Sequence, residues 1–166
     1  MFAARLRSCP ANNVPRWVTF ALDEQRFALP LDSVLRVVRA VEITPLPLAP
    51  EAVRGAIDVG GRILPVFDLR RRLQLAPRAL RLSDQFLIAQ TTRRTLALVV
   101  DAVPGLLDAS PSDESDSLPP RMRHLRGVLS LPDGLVLIHD LEAFLSPEEE
   151  TALDSALSTL EGQRAH

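Results

Sequence analysis

The sequence predicts a mainly β fold: two pseudo-symmetric five-stranded small β-barrels packed together, with short helical turns and a C-terminal helix. Three observations carry this. First, Gly55–Leu73 (GAIDVGGRILPVFDLRRRL) recurs without a gap as Gly127–Leu145 (GVLSLPDGLVLIHDLEAFL), a shift of 72 residues. Gly55, Asp68, Leu69 and Leu73 meet identical partners, and pairs such as Ile57/Leu129, Leu64/Val136 and Val66/Ile138 stay apolar. Second, Phe27–Val34 matches Leu96–Val103 at a slightly different shift, so a duplicated unit of roughly 60–70 residues fills most of the chain. Third, the predicted strands are short, and closure into barrels hides the edges that short sheets otherwise expose.

Residues 1–14 lack periodicity and read as a mobile N-terminal arm. Arg16–Leu22 places large apolar residues before the polar turn Asp23-Glu-Gln25, and Arg26–Pro30 returns as the second strand of a hairpin. Leu31-Asp-Ser-Val-Leu35 can form a helical turn or run straight into the β-branched Val37-Val38. Thr44-Pro-Leu-Pro-Leu-Ala-Pro50 lacks backbone donors at three positions and reads as a surface loop. A helical turn is expected over Glu51–Arg54.

In the repeated element, Gly55–Val59 and Arg62–Phe67 read as strands joined by Gly60-Gly61, a pair suited to the positive φ of a tight turn. The second copy uses Pro132-Asp-Gly134 there. Asp68 and Asp140 each precede a short apolar-flanked run and read as N-caps of short helices. Ala76–Ser83 is a connector, and strands follow near Gln85–Gln90, Leu96–Asp101 and Val103–Asp108. The acidic stretch Asp108–Ser117 reads as a solvated loop. Ser146-Pro-Glu-Glu149 has the form of a capping box with proline at the first helical position, and Leu153, Ala156, Leu157 and Leu160 line one face of a helix over 147–160. The body thus spans 15–160, with a first barrel over approximately 15–75 and a second over approximately 84–145. Each copy alone is near the size at which burial barely offsets chain entropy, so the copies are expected to share apolar surface.

Composition narrows the function. The chain of 166 residues is 46% hydrophobic and 24% charged, with net charge −2, which is ordinary for a soluble globular protein. All 19 basic residues are arginine, and six Phe, one Trp and no Tyr offer few stacking platforms for bases, which disfavours nucleic acid. The single cysteine, Cys9, excludes an internal disulfide or thiolate metal site. Neither a signal peptide nor a run long enough to span a bilayer is visible, so a cytoplasmic protein without direct membrane insertion is expected.

A search for chemistry finds little. His124, His139 and His166 lack a second ligand at metal spacing, and His139, at the site of Phe67 in the other copy, reads as a packing residue. Asp68 and Asp140 read as caps before they read as a carboxylate pair. Arg70–Arg72 with Arg121, Arg123 and Arg126 reads as a solvated face more readily than as an anion site. No nucleophile elbow or phosphate-cradling loop appears. Catalytic, cofactor and metal residues are therefore assigned to none, and binding is favoured over catalysis.

The blocks Gly55-x5-RILPVFDL ending at Leu69, LALVVD-x-V from Leu96 to Val103, and GVLSL-x-DGLVLIHDL from Gly127 to Leu141 resemble the CheW family of chemotaxis coupling proteins, in the family's order and spacing. The resemblance runs from about Arg16 to Leu160 and implies two intertwined five-stranded barrels with an apolar seam. It implies a cytoplasmic, non-enzymatic adaptor and scaffold in a two-component signal transduction system. The adaptor works by protein–protein interaction: it couples methyl-accepting chemoreceptor cytoplasmic tips to the regulatory domain of a CheA-type histidine kinase, with self-association in rings and recruitment to membrane-associated receptor arrays. The receptor-binding groove then falls on Val34, Arg36, Val37, Gly60, Thr95, Leu96 and Leu98. Kinase-binding positions fall on Leu46, Leu48, Leu118 and Met122 in loops at barrel ends. Three departures stand out: Arg36 where the family usually has Glu, Asp58-Val-Gly60-Gly61 where it has N-L-R-G, and Ala97 in place of a common glycine. An Arg36–Asp58 pair of reversed polarity is expected from the first two. Alternatives are a divergent CheW-like scaffold for a non-flagellar or accessory receptor–kinase pathway, and a small-barrel ligand or nucleic-acid binder.

Overall fold

A computed structural model describes residues 14–109, 125–132 and 134–164. Among the described residues ten strands occur in chain order: β1 Arg16–Leu22, β2 Gln25–Pro30, β3 Val34–Arg39, β4 Val53–Val59, β5 Arg62–Phe67, β6 Gln85–Gln90, β7 Thr95–Val100, β8 Ala102–Asp108, β9 Leu125–Leu131 and β10 Gly134–His139. A short helix α1 (Leu69–Arg72) follows β5, and α2 (Pro147–Arg164) closes the chain. Leu31–Ser33 and Leu141–Ala143 form single 3-10 turns. The segment after Pro30 therefore does both things its sequence allows, turning once and then extending into β3.

The strands form two five-stranded sheets, ordered β8-β1-β2-β10-β9 and β3-β6-β7-β5-β4. The barrels expected as successive stretches, 15–75 and 84–145, are interleaved instead. The first copy's β3, β4 and β5 join the second copy's β6 and β7, and the second copy's β8, β9 and β10 join β1 and β2. The duplication is thus strand-exchanged within one chain. Its register is the same in both sheets. Arg36↔Ile88, Val37↔Leu87, Val38↔Phe86 and Arg39↔Gln85 in one recur as Gly105↔Thr19, Leu106↔Val18, Leu107↔Trp17 and Asp108↔Arg16 in the other. The parallel contact Val66↔Ala97 recurs as Ile138↔Ala28. Even the irregularity between Val53 and Gly55 has its counterpart in the shifted pairing of His139 with Leu125.

Exchange has a consequence for packing. The largest apolar cluster lies between the sheets: Phe20, Phe27 and Leu29 from one, Leu87, Leu96 and Leu98 from the other, with Phe144 and Leu153 from the C-terminal region. Separate clusters fill each sheet's own interior, around Phe86 and Val99 in one and around Trp17 and Leu129 in the other. β7 shows the division within one strand. Leu96, Leu98 and Val100 face the seam while Ala97 and Val99 face the interior, so Leu96–Val100 is buried throughout.

The margin of the second sheet is partly closed by the β3–β4 connection. Thr44 bridges Ala56 through two backbone bonds of 2.9 and 2.8 Å. Gly55 permits the approach, because a Cβ there would lie 2.2 Å from the Thr44 carbonyl oxygen. Gly60 and Gly61, with φ of 60° and 88°, make the β4–β5 turn as their sequence predicts.

The helical turn expected over Glu51–Arg54 is a single hydrogen-bonded turn that gives way to β4 at Val53. Val53 N–H donates to Pro50 for a single turn, and the chain then extends so that Val53 pairs with Phe67. Asp68 accepts from Arg70 N–H at 2.9 Å and Asp140 from Glu142 N–H at 3.1 Å, so both repeat aspartates cap. The capping box of α2 closes reciprocally: Ser146 N–H donates to Glu149 at 2.9 Å, and Glu149 N–H donates to the Ser146 hydroxyl at 3.2 Å. Leu153 and Ala156 are buried in the seam, with Leu157 and Leu160 packed against it. The helix runs to Arg164, one turn beyond the expected end. The N-terminal arm through residue 13 and the acidic loop from residue 110 lie outside the described residues.

Candidate functional site

The seam between the sheets is filled. Leu96 and Leu98, assigned to a receptor-binding groove from the sequence, are 1% and 0% exposed and belong to the core. No partner reaches them, because the central strand of a sheet covered on both faces has no free side. Exposed apolar side chains stand elsewhere, on Leu106 (46%) and Leu135 (53%) of the first sheet and along β3 of the second. On β3, Leu35 is 50% exposed and Val37 37%, and Val41 follows at 49%. Val34 is half-buried against the seam, and Arg36 and Arg39 are exposed.

Beyond Val41 the connection to β4 lines an open groove of about 580 Å³ with Glu42, Ile57, Asp58, Ile63 and Leu160. Gly60 lies at the exposed tip of the neighbouring β4–β5 hairpin. Thr95, half-buried at the start of β7, accepts from the Arg62 guanidinium at 3.4 Å. Thus Arg36, Val37 and Gly60 of the expected receptor-facing set are surface residues, Val34 and Thr95 are partly so, and Leu96 and Leu98 are not.

The expected Arg36–Asp58 pair does not occur among the described residues. β3 and β4 occupy opposite margins of their sheet, and the Asp58 carboxylate accepts from Gly61 N–H at 2.9 Å, bracing its own turn. Leu46 and Leu48 are a few residues apart and opposite in character. Leu46 is 8% exposed and packs into the seam, whereas Leu48, with φ of 67°, is 93% exposed. Both border a second groove of about 380 Å³ against Ala152, Ala156 and Leu160 of α2. Leu118 and Met122 lie outside the described residues.

The three arginines after Asp68 are not one basic patch. Arg70 is only 5% exposed and donates to both Asp23 oxygens and both Asp101 oxygens, each at 2.9 Å. Arg71 donates to the Glu51 carbonyl at 2.6 Å, and Arg72 pairs with Glu149 at 3.0 Å over the Phe144 ring. Asp101 also meets Arg78, which holds Asp84 at 2.8 Å, and accepts from Asp23 N–H at 2.7 Å. This chain of five charges ties the β1–β2 turn, α1, the connector before β6 and the β7–β8 crossover, where the backbone passes from one sheet to the other.

Electrostatics follow from those contacts. The Arg70 guanidinium holds the Asp23 carboxyl below the usual range. Burial works against ionisation of Asp101, but the Asp23 N–H and the two guanidiniums outweigh it, so Asp101 is also lowered. Burial likewise opposes Asp84, and Arg78 with the Arg81 N–H lowers it. The duplicate contact exists with different chemistry: Glu142, in the place of Arg70, accepts from Thr92 N–H at 2.9 Å and from its hydroxyl at 2.8 Å.

His139 is 1% exposed and packs 5.6 Å from the Phe144 ring. Phe67, its counterpart, stacks on the same ring at 4.6 Å. Among the described residues no group of three or more His, Cys, Asp or Glu side chains is placed to hold a metal ion, and no helix is long and apolar enough to cross a membrane.

Two interleaved small β-barrels with filled interiors, a charge cluster whose ions are paired within the chain and exposed apolar side chains on the sheet rims define a protein-interaction module. The chain belongs to the CheW family: the family model described as CheW-like domain matches residues 16–149. It is 29% identical over 140 residues to a probable chemotaxis protein CheW of Rhizobium etli, covering 81% of this chain and 90% of that one. It is 31% identical over 116 residues to protein FrzA of Myxococcus xanthus, covering 66% and 71%. The crystal structure of the scaffolding protein TtCheW from Thermoanaerobacter tengcongensis superposes with a TM-score of 0.70 at 25% identity, covering 82% of this chain and 90% of that one.

Proposed function

We propose that this protein is a non-catalytic adaptor that couples the cytoplasmic tips of chemoreceptors to a CheA-type histidine kinase in chemotaxis. The observation that carries this reading is the CheW-like family match across residues 16–149, joined to a fold shared with a scaffolding protein of that name. The internal physics agrees with an adaptor. The ionic groups at the sheet crossover are paired with one another, and the interiors are occupied by side chains.

The receptor-facing surface is the β3 rim with Arg36 and Val37, flanked by Val34 and by the Gly60 hairpin. The kinase-facing surface is the loop carrying Leu48, braced from beneath by Leu46 and by α2. Thr95 borders the first surface through Arg62. Leu118 and Met122 belong to the kinase-facing set on the resemblance alone. The protein acts in the cytoplasm at receptor arrays, where self-association in rings lets weak contacts add up, because tethered partners convert later binding into intramolecular events.

Co-purification with a CheA-type kinase from the same genome, with and without a receptor tip fragment, tests the reading. A ternary complex is expected, with kinase and receptor each retained through this protein. Retention of neither would refute it.

A further inference from the structure

The two halves of α2 are held differently. Over residues 147–156 ion pairs tie the helix to the body, Arg72 to Glu149 at 3.0 Å, Arg93 to Glu150 at 3.3 Å and Arg94 to Asp154 at 2.7 Å, and Leu153 and Ala156 are buried in the seam. Beyond Ala156 no described side chain of the helix bonds to another element. Thr159 donates to the Ser155 carbonyl within the helix, and only Leu157 and Leu160, both half-buried, pack against the seam. Ser158, Thr159 and Gly162 are also weak helix formers, so these last turns are the part of α2 that opens at least cost.

Those turns stand between two grooves. Leu160 lines both the groove of about 580 Å³ beside Val41 and Ile57 and the groove of about 380 Å³ beside Leu46 and Leu48, and it is the residue they share. The loop in the second groove presents one leucine and withholds the other: Leu48 is exposed, whereas Leu46 is almost wholly buried. The first copy of the repeat ends in the four-residue α1 and has no counterpart of these turns, so the repeat closes without them.

We propose that residues 157–164 are a displaceable strap that regulates the kinase-facing surface. Seated, the strap divides the two grooves and keeps Leu46 out of reach; lifted, it leaves one continuous apolar furrow in which Leu46 joins Leu48. This rests on the coupling role proposed above and adds to it a closed and an open state. Only open molecules bind at full strength, so the apparent kinase affinity is scaled by the open fraction, and a weakly held cover tunes the surface without altering its contacts. The ties at Glu149, Glu150 and Asp154 hold the first half of α2 in place when the strap lifts, so the seam stays packed around Leu153.

The test measures binding of a CheA-type kinase from the same genome to the full chain and to three variants, with a receptor tip fragment as the second probe. A chain ending at Ala156 is expected to bind the kinase about tenfold tighter, the gain set by an open fraction of about a tenth, and Leu160→Ser about threefold tighter. Gly162→Ala, which meets nothing within 4 Å and strengthens the helix, should weaken kinase binding about fivefold. Tip-fragment affinity should not change in any of them. In the free protein, amides of 157–164 should exchange hydrogen faster than those of 150–156, and Gly162→Ala should slow only the former. The two full-length variants decide the matter where the shortened chain loses its fold. Kinase affinity that both leave unchanged, or equal protection along α2, overturns the strap while leaving the coupling role standing. Failure of the full chain and of every variant to bind the kinase overturns both.

Discussion

Replacing Arg70 by methionine removes one of the two cations of the charge chain while keeping most of the side chain's bulk. The Arg70 side chain is 7% exposed and makes four bonds of 2.9 Å to two carboxylates. Breaking a buried pair by deleting one partner costs about 3–5 kcal/mol, mostly from the charge left behind. Here Asp23 is 52% exposed and rehydrates, and Asp101 keeps Arg78, so the low end applies, about 3 kcal/mol. For a chain of this size that corresponds to a fall in Tm of roughly 6–12 °C.

The pH profile provides the second readout. Asp23, Asp84 and Asp101 have folded-state pKa values below their unfolded ones, so they contribute stability above the unfolded value of about 3.9, and it disappears as pH falls through the folded values. Wild type should therefore lose stability steeply below about pH 4, and Arg70→Met should lose less, since part of that contribution is already gone. Thermal unfolding followed by circular dichroism between pH 3 and pH 7 measures both. A change in Tm of under 2 °C at pH 7, or pH profiles that run parallel, would refute the role assigned to the network.

Gly55→Ala places a Cβ 2.2 Å from the Thr44 oxygen, so the Thr44–Ala56 bridge must open. A loss of about 2–4 kcal/mol in urea unfolding is expected from two broken buried bonds and the displaced connection. Gly61→Ala, with nothing within 4 Å and only a left-handed backbone to oppose it, should lose about 1 kcal/mol. Ser146→Ala removes the capping acceptor of α2 and should lower stability by about 1 kcal/mol, with faster hydrogen exchange confined to the first turn of the helix.

The repeat from Gly55 to Leu73 announced itself in the residues, and its hairpin, its capping aspartate and its register all recur in the second copy. What the residues could not convey was which copy's strands pair. β3 to β5 and β8 to β10 carry the same apolar alternation, so either partner buries the same faces. The short turn at Leu31–Ser33 and the crossover at Asp101 decide it by carrying the chain into the opposite sheet. Leu96 and Leu98 were misplaced for a related reason: a strand buried on both faces has no alternation to distinguish groove from core.

The charge chain was invisible because Arg70 lies 47 residues from Asp23 and 31 from Asp101, separations that no local pattern encodes. Arg36 was legible as a departure, but its expected partner Asp58 was not, since sheet order and not strand face determines whether they meet. Leu48 lies exposed on the loop that its proline-rich sequence predicts, whereas Leu46, two residues before it, is buried in the seam cluster, an inward turn that no local pattern signals.

Coupling itself is measured by autophosphorylation of a CheA-type kinase reconstituted with receptor tip fragments in array-like assemblies. Adding this protein should make kinase activity respond to the receptor, with the response absent when either the protein or the receptor is omitted. Kinase activity that responds to receptor equally well without the protein, or never responds with it, would contradict the account.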